Sequence, residues 1–238
     1  MNNIKDELYQ IGKKSQTDKI WHHGYHRFYS LFLNSIRNNN IKMLEIGLDR
    51  TNSLVMWRKY FPKAHIYGID IDATMYDDKD TTIFKGDQSD KKFLATVVDD
   101  IKDKIEFIID DGSHVPEHQL ISFNFLFKNL LQEDGIYIIE DIETSYWRKG
   151  KLYGYLLGYE INNISLTEIF KSVVDKINLE FIPQKDKDKY NKVDHIDNEV
   201  LQMIESVFFG TNCIIIMKKN MSYSDRYDKR KYRFEKFL

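Results

Sequence analysis

Short apolar runs alternate along the chain with segments whose apolar residues recur every three or four positions. The runs are "IKMLEIG" (41–47), "HIYGIDID" (65–72), "TTIFKGD" (81–87), "KIEFIIDD" (104–111) and "GIYIIED" (135–141). Each is brief and ends in glycine or an acid, which predicts buried strands. Helical patterns lie between them. "TNSLVMWRKYF" starts with Asn52 or Ser53 as its N-cap, residues 90–101 form a second helix, and "PEHQLISFNFLFKNLL" (116–131) carries proline in its first turn. Upstream, residues 25–37 place Tyr25, Phe28, Tyr29, Phe32 and Ile36 on one helical face. Downstream, "SVFFGTNCIIIMKK" (206–219) reads as two strands around a Gly-Thr-Asn turn, antiparallel at the sheet.

Strands that are apolar on both faces and alternate with helices predict an α/β fold. The expected form is a Rossmann-like doubly wound sheet, mostly parallel, with an antiparallel strand near the C-terminus. Residues 1–40 form an N-terminal helical segment and 41–219 the main domain. Within it, 142–204 is polar, tyrosine-rich and irregular, which marks a lid or insertion. The tail 220–238 is basic and aromatic and reads as a solvated helix or a subunit contact.

Composition narrows the classes. Thirty-five basic and 37 acidic residues leave a net charge of −2, so no basic surface for nucleic acid is expected. One cysteine, Cys213, sits in an apolar run, which excludes a disulfide framework and fits a reducing, cytoplasmic setting. No apolar run approaches membrane-spanning length.

The chemistry concentrates at one place. In an open parallel sheet, ligands bind beyond the carboxyl ends of the strands. Here those ends carry Glu45 and Gly47, Asp70 and Asp72, Asp87 and Gln88, Asp110 and Asp111, and Glu140 and Asp141. Such a row repels itself unless a cation, a ligand or bound protons offset it. Asp70, ending the second strand, suits a ribose diol. Asp87 with Gln88 suits an adenine amino group, and Gly47 allows close backbone approach. Neighbouring strands four and five bring Asp111, Glu140 and Asp141 side by side as hard oxygen ligands, suited to Mg²⁺, Mn²⁺ or Ca²⁺ rather than zinc. His114 follows Asp111 closely enough to take a proton from a metal-held hydroxyl. Rival assignments make His114 a helix cap or, with His118, half of a zinc site. For the latter there is no accompanying cysteine or HExxH.

These stretches together, with "SQTDKIWHHGYHRFYSLF" (15–32), resemble the class I S-adenosylmethionine-dependent O-methyltransferases of the macrocin and mycinamicin sugar type. Cephalosporin hydroxylase-like and rhamnosyl O-methyltransferase proteins are related to them. The resemblance covers roughly residues 12–147 and 205–219, and "DDGSH" with the later "ED" is its most specific part. It implies that 41–219 is a methyltransferase domain and that 142–204 faces the acceptor. It implies magnesium, with manganese as an alternative, on Asp111, Glu140 and Asp141, and His114 as general base. Glu45, Gly47, Asp70, Asp87, Gln88 and Asp110 then bind the methyl donor. The implied acceptor is a sugar hydroxyl on a glycan, nucleotide sugar or glycosylated natural product, and the implied assembly is a homo-oligomer. One departure stands out: the loop "GLDRTNS" lacks the usual second glycine and carries Asp49 and Arg50 instead. Arg50 is placed either to pair with Asp49 or to hold the carboxylate of the methyl donor. Tyr146, Trp147, Tyr153, Tyr155 and Tyr159 either line a sugar pocket or pack ordinarily.

Three other classes share parts of this pattern. A nicotinamide oxidoreductase needs GxGxxG after the first strand, which is absent. A metal-dependent hydrolase would use the Asp/Glu/His group but leave Asp70, Asp87 and Gln88 idle. A catalytically silent scaffold would not need Asp111, His114, Glu140 and Asp141 together.

Overall fold

The computed structural model describes residues 4–73, 78–147, 164–190 and 193–223. Its framework is a seven-stranded sheet in the order β3-β2-β1-β4-β5-β7-β6. The strands are β1 (Lys42–Ile46), β2 (His65–Asp70), β3 (Thr81–Lys85), β4 (Ile105–Asp110), β5 (Leu131–Glu140), β6 (Ile204–Gly210) and β7 (Cys213–Lys218). The first five pair in parallel, and β7 runs antiparallel to both β5 and β6. The doubly wound sheet expected from the sequence is therefore present. Its order reverses at β1 and β4, which opens a crevice beyond their carboxyl ends.

Two apolar layers cover the sheet. On one face lie α1 (Ile4–Ser15), α2 (Asp18–Trp21), α3 (His26–Leu33) and α4 (Asn52–Tyr60). Leu8, Ile20, Tyr29, Leu33, Leu54 and Trp57 bury against Met43, Ile66, Phe107 and Ile138 there. On the other face lie α5 (Lys91–Ile101), α6 (Pro116–Asn129) and α7 (Leu166–Ile177). Leu94, Phe123, Phe127, Phe170 and Val173 bury against Leu44, Ile108, Tyr137 and Ile139. The alternation along β4 and β5 sends successive side chains into opposite layers, as the pleat requires.

Local chemistry explains most boundaries and several departures. Asp90 caps α5 by accepting from the backbone N–H of Lys92 at 2.8 Å. The N-cap of α4 is Thr51, in the left-handed region, with no side-chain cap. Ser53 instead donates to Glu45 at 2.8 Å, so its hydroxyl serves the interior rather than the helix end. Strand β5 starts at Leu131, earlier than expected. A register shift between Ile105 and Phe107 lets Gln132–Gly135 bow outward before regular pairing resumes. Thr211 and Asn212 form the β6–β7 turn, with Asn212 at φ +61°.

The described C-terminal part of the segment expected as a lid packs into the core. Leu166, Ile169, Phe170 and Val173 of α7 are core, as are Val193, Ile196, Val200 and Leu201 after it. The helix is amphipathic, and Ser165 caps it by accepting from Glu168 N–H, so a compact sheet cover follows from its own sequence. Tyr153, Tyr155 and Tyr159 lie outside the described residues, as does the tail from 224.

Phe170 tests whether α7 belongs to the body of the domain. Phe170→Ala should lower unfolding free energy by about 3–5 kcal/mol. A denaturant titration indistinguishable from wild type would return α7 to the status of a detachable lid.

Candidate functional site

The acids at the carboxyl edge do not form one cluster. They are sorted by which way each strand end turns. Glu45, Asp111 and Glu140 meet on the side of α2 and α3, whereas Asp110 turns toward α6.

At the centre of the first group is Lys19, from α2 and only 1% exposed. Its ammonium donates to Asp111 and, at 2.6 Å, to Glu140 Oε2, and lies 3.4 Å from Glu45 Oε1. Burial opposes the charge on Lys19, but the carboxylates of Asp111, Glu140 and Glu45 outweigh it and hold the amine protonated. Glu140 also accepts from the Tyr29 hydroxyl. Glu45 is fully buried and accepts from Ser53 and, at 3.2 Å, from the Trp57 indole. Burial pushes the Glu45 carboxyl up. Neither Glu45 nor Glu140 is among the residues lining the two adjoining spaces described below.

The open group is Asp111, His114 and Asp141, each offering one ligand atom within 4.8 Å of the others. His114 Nε2 lies 3.1 Å from Asp111 Oδ1 and 3.5 Å from Asp141 Oδ2. Burial would lower the imidazole pKa, but its hydrogen bond to Asp111 and the nearby carboxylates raise it to about 9. Asp111 is shifted the other way. Burial alone would raise it, yet Lys19 and His114 bring it to about 2. On its far side, Asp141 Oδ1 accepts from Tyr25 at 2.7 Å and Asn212 Nδ2 at 2.9 Å, with His23 Nδ1 at 3.4 Å. His114 and Asp141 both have positive φ, +55° and +53°. Such strain persists only where surroundings impose it. Here Thr144 Oγ1 donates to the His114 carbonyl at 2.7 Å, and the Tyr25 hydroxyl accepts from Asp141 N–H at 3.3 Å.

Two hard carboxylates and one imidazole at this spacing fit a divalent cation with oxygen preference. The expected set included Glu140. Its carboxylate accepts from Lys19 and Tyr29, and His114 lies beside the two aspartates.

The group borders a cleft of about 540 Å³, lined by Thr17, Asp18, Lys19 and Trp21 on one side and by Gly47, Asp49, Arg50 and Asp70 on the other. Beyond the shared Gly47, Asp70 and Gly112 the cleft continues into a pocket of about 180 Å³. Ile69, Ile71, Asp87, Gln88 and His118 line this second part. Gly47 is required at the junction: its φ is +85°, and an added Cβ would fall 2.0 Å from the Asp111 carbonyl oxygen. Asp70 accepts from Leu48 N–H and Asp72 N–H, both at 2.7 Å, which fixes its carboxylate between the two spaces. Asp87 is held by the backbone N–H of Ser89, which pulls its carboxyl down.

Gln88 and Asp110 are hydrogen-bonded to each other. Gln88 Nε2 donates to Asp110 at 2.9 Å, and its Oε1 accepts from Ser113 N–H at 2.7 Å. Asp110 is fully buried and also accepts from Ser122. Burial raises its carboxyl despite those donors. Together they form a floor under the "DGSH" loop, with Gln88 at the second pocket.

Sequence reasoning missed Lys19, Tyr25, Tyr29, Asn212 and Trp21. Trp21 is 67% exposed on the cleft. Tyr25 and Tyr29 are on the helical face assigned to core. Nothing local marks their hydroxyls as partners for residues more than a hundred positions away. Asp49 and Arg50 are both exposed and 4.0 Å apart at the cleft rim.

No protein-family model matches the chain. Curated relatives do. The mycinamicin VI 2''-O-methyltransferase of Micromonospora griseorubida is 31% identical over 188 residues, 75% of this chain and 46% of the relative. The demethylmacrocin O-methyltransferase of Streptomyces fradiae is 30% identical over 192 residues, 76% and 47% respectively. A solved structure of the mycinamycin-pathway methyltransferase MycE, in complex with Mg, SAH and mycinamycin VI, superposes with a TM-score of 0.72 at 26% identity. That match covers 90% of this chain and 54% of MycE. The chain thus spans about half the length of the relatives it matches.

In chelator, the His114 imidazole should titrate near pH 9 by NMR, and Asp111→Asn should bring it back toward 6.5. Because the folded value exceeds the unfolded one, the interaction stabilises fully below about pH 6.5 and is lost as pH rises through about 9. A His114 titration that ignores Asp111→Asn would contradict this geometry.

Proposed function

The chain is a homologue of the sugar O-methyltransferases of macrolide and tetracenomycin pathways, and from that premise we propose that it transfers the methyl of S-adenosylmethionine to a sugar hydroxyl, with magnesium or manganese on Asp111, Glu140 and Asp141. One observation carries this: Asp111, His114 and Asp141 converge on a cleft that runs on past Asp70 into a second, partly apolar pocket.

The second pocket suits the adenosyl part of the methyl donor. Ile69 and Ile71 offer apolar faces to a flat base, and Asp87 lies at the rim. Asp70, at the junction, suits the ribose diol. Gly47 permits close approach, and Arg50 offers its guanidinium to the donor's carboxylate. The sulfonium then faces the larger cleft, where Trp21 presents an aromatic surface for a sugar.

A methyl on a sulfonium needs no activation, so the task is to align and deprotonate the acceptor. A divalent ion would orient the hydroxyl and lower its pKa. The carboxylates otherwise keep His114 protonated at neutral pH, and compensating their charge frees Nε2 to accept the hydroxyl proton. The buried, unpaired thiol of Cys213 suits a cytoplasmic setting. The acceptor proposed is the hydroxyl of a glycoside, in a glycan, nucleotide sugar or glycosylated natural product.

Calorimetric titration of S-adenosylhomocysteine should show binding at about micromolar strength or tighter, with magnesium and with excess chelator. His114→Ala should keep that binding and lose about 10²–10⁴ in turnover on any glycoside that wild type methylates. Absence of binding in both buffers would mean that "GLDRTNS" closes the donor pocket, and the reading would fail. Trp21→Ala should raise acceptor KM about tenfold with donor binding unchanged; an unaltered KM removes Trp21 from the acceptor site.

A further inference from the structure

Lys19 is the most unusual feature that the proposed chemistry leaves unused. Its ammonium is enclosed by carboxylates of three strand ends, β1, β4 and β5, and two of them, Asp111 and Glu140, are candidate metal ligands. An ammonium and a small divalent cation seek the same thing, anionic oxygens at short range. Magnesium takes oxygens at about 2.1 Å. The Lys19 nitrogen already lies 2.6 Å from Glu140 Oε2 and closer still to Asp111 Oδ2. A divalent ion on those two oxygens would take the place that the ammonium holds.

Structure alone does not demand a charge there. Tyr29 bonded to Glu140 and Tyr25 bonded to Asp141 already pin the same segment to the same strand ends. Buried ion pairs are often no more stabilising than apolar replacements. Resting on the proposed function, we infer that Lys19 is a built-in counter-cation that competes with the divalent ion for Asp111 and Glu140.

Two consequences follow. With no metal bound, Lys19 holds the carboxyl groups of Asp111 and Glu140 in place. With metal bound to Asp111 and Glu140, the ammonium leaves. Because Lys19 is flanked by Thr17, Asp18 and Trp21 on the cleft wall, its departure reshapes the acceptor side. Metal binding and acceptor binding are then coupled through one side chain, and the coupling is reciprocal.

Magnesium chloride titrated calorimetrically into wild type and Lys19→Met provides the test. The variant should bind magnesium about tenfold more tightly or better. In wild type, mass-spectrometric acylation footprinting should show Lys19 inert in chelator and labelled on magnesium addition. The wild-type footprint decides the matter even if Lys19→Met fails to fold. Equal magnesium affinities with an unchanged footprint overturn the inference and leave the proposed function intact. Weaker binding by the variant also overturns it, since Lys19 would then support the metal. No magnesium binding by either protein, with S-adenosylhomocysteine still bound, overturns it together with the metal half of the proposed function.

Discussion

Everything at the working edge of this fold depends on one electrostatic constraint: carboxylates gathered at the ends of parallel strands must be compensated. Glu45, Asp111 and Glu140 converge where water is scarce, and isolated buried charges are very costly. The chain meets this with one ammonium, one tyrosine hydroxyl, a serine and an indole. Asp110 has the same problem on the opposite face. It is solved there without a cation, by Gln88, Ser122 and a raised proton affinity. The sheet edge therefore has a charged side and a neutral side, and the candidate chemistry is on the charged one.

Much of this was legible in the residues. The strand ends are where apolar runs meet acids, and parallel pairing follows from the helices between them. Asp111, His114 and Asp141 fall together for that reason. What the sequence pattern obscured was the division of labour within "ED" and "DD". Adjacent strand residues point to opposite faces, so Glu140 and Asp141 could not both continue the same side. Glu140 follows Ile136 and Ile138 into the α3 layer, and a left-handed Asp141 brings its own carboxylate back to the cleft. Likewise Asp110 follows Ile108 toward α6. Lys19 was hidden for another reason. Its partners lie 92 and 121 positions away, and a lysine in a short polar helix otherwise reads as solvated.

The segment before β1 consequently does more than cover a sheet face. Residues 17–29 supply the counter-charge, three of the contacts to Asp141 and Glu140, and one wall of the cleft. A domain cut at the first strand would retain every sequence motif of the site and still lose its electrostatic balance. The α7 region behaves oppositely. It lies in a segment that is polar in composition, yet its four buried apolar residues make it structural.

Two of the residues assigned to the acceptor's hydroxyl, His114 and Asp141, also have backbones that need outside support. His114 and Asp141 hold left-handed conformations that cost on the order of 1–3 kcal/mol each in a non-glycine residue. That cost is met by contacts from elsewhere: Thr144 on the His114 carbonyl, Tyr25 on the Asp141 amide, and Asn212 on its carboxylate. Thr144 comes from the turn after β5, Tyr25 from the lead into α3, and Asn212 from the β6–β7 turn. The geometry of the proposed base and its neighbouring acid is therefore set by three parts of the chain at once. Loosening any of them would leave the residues present and the fold intact while letting His114 and Asp141 drift out of register with each other.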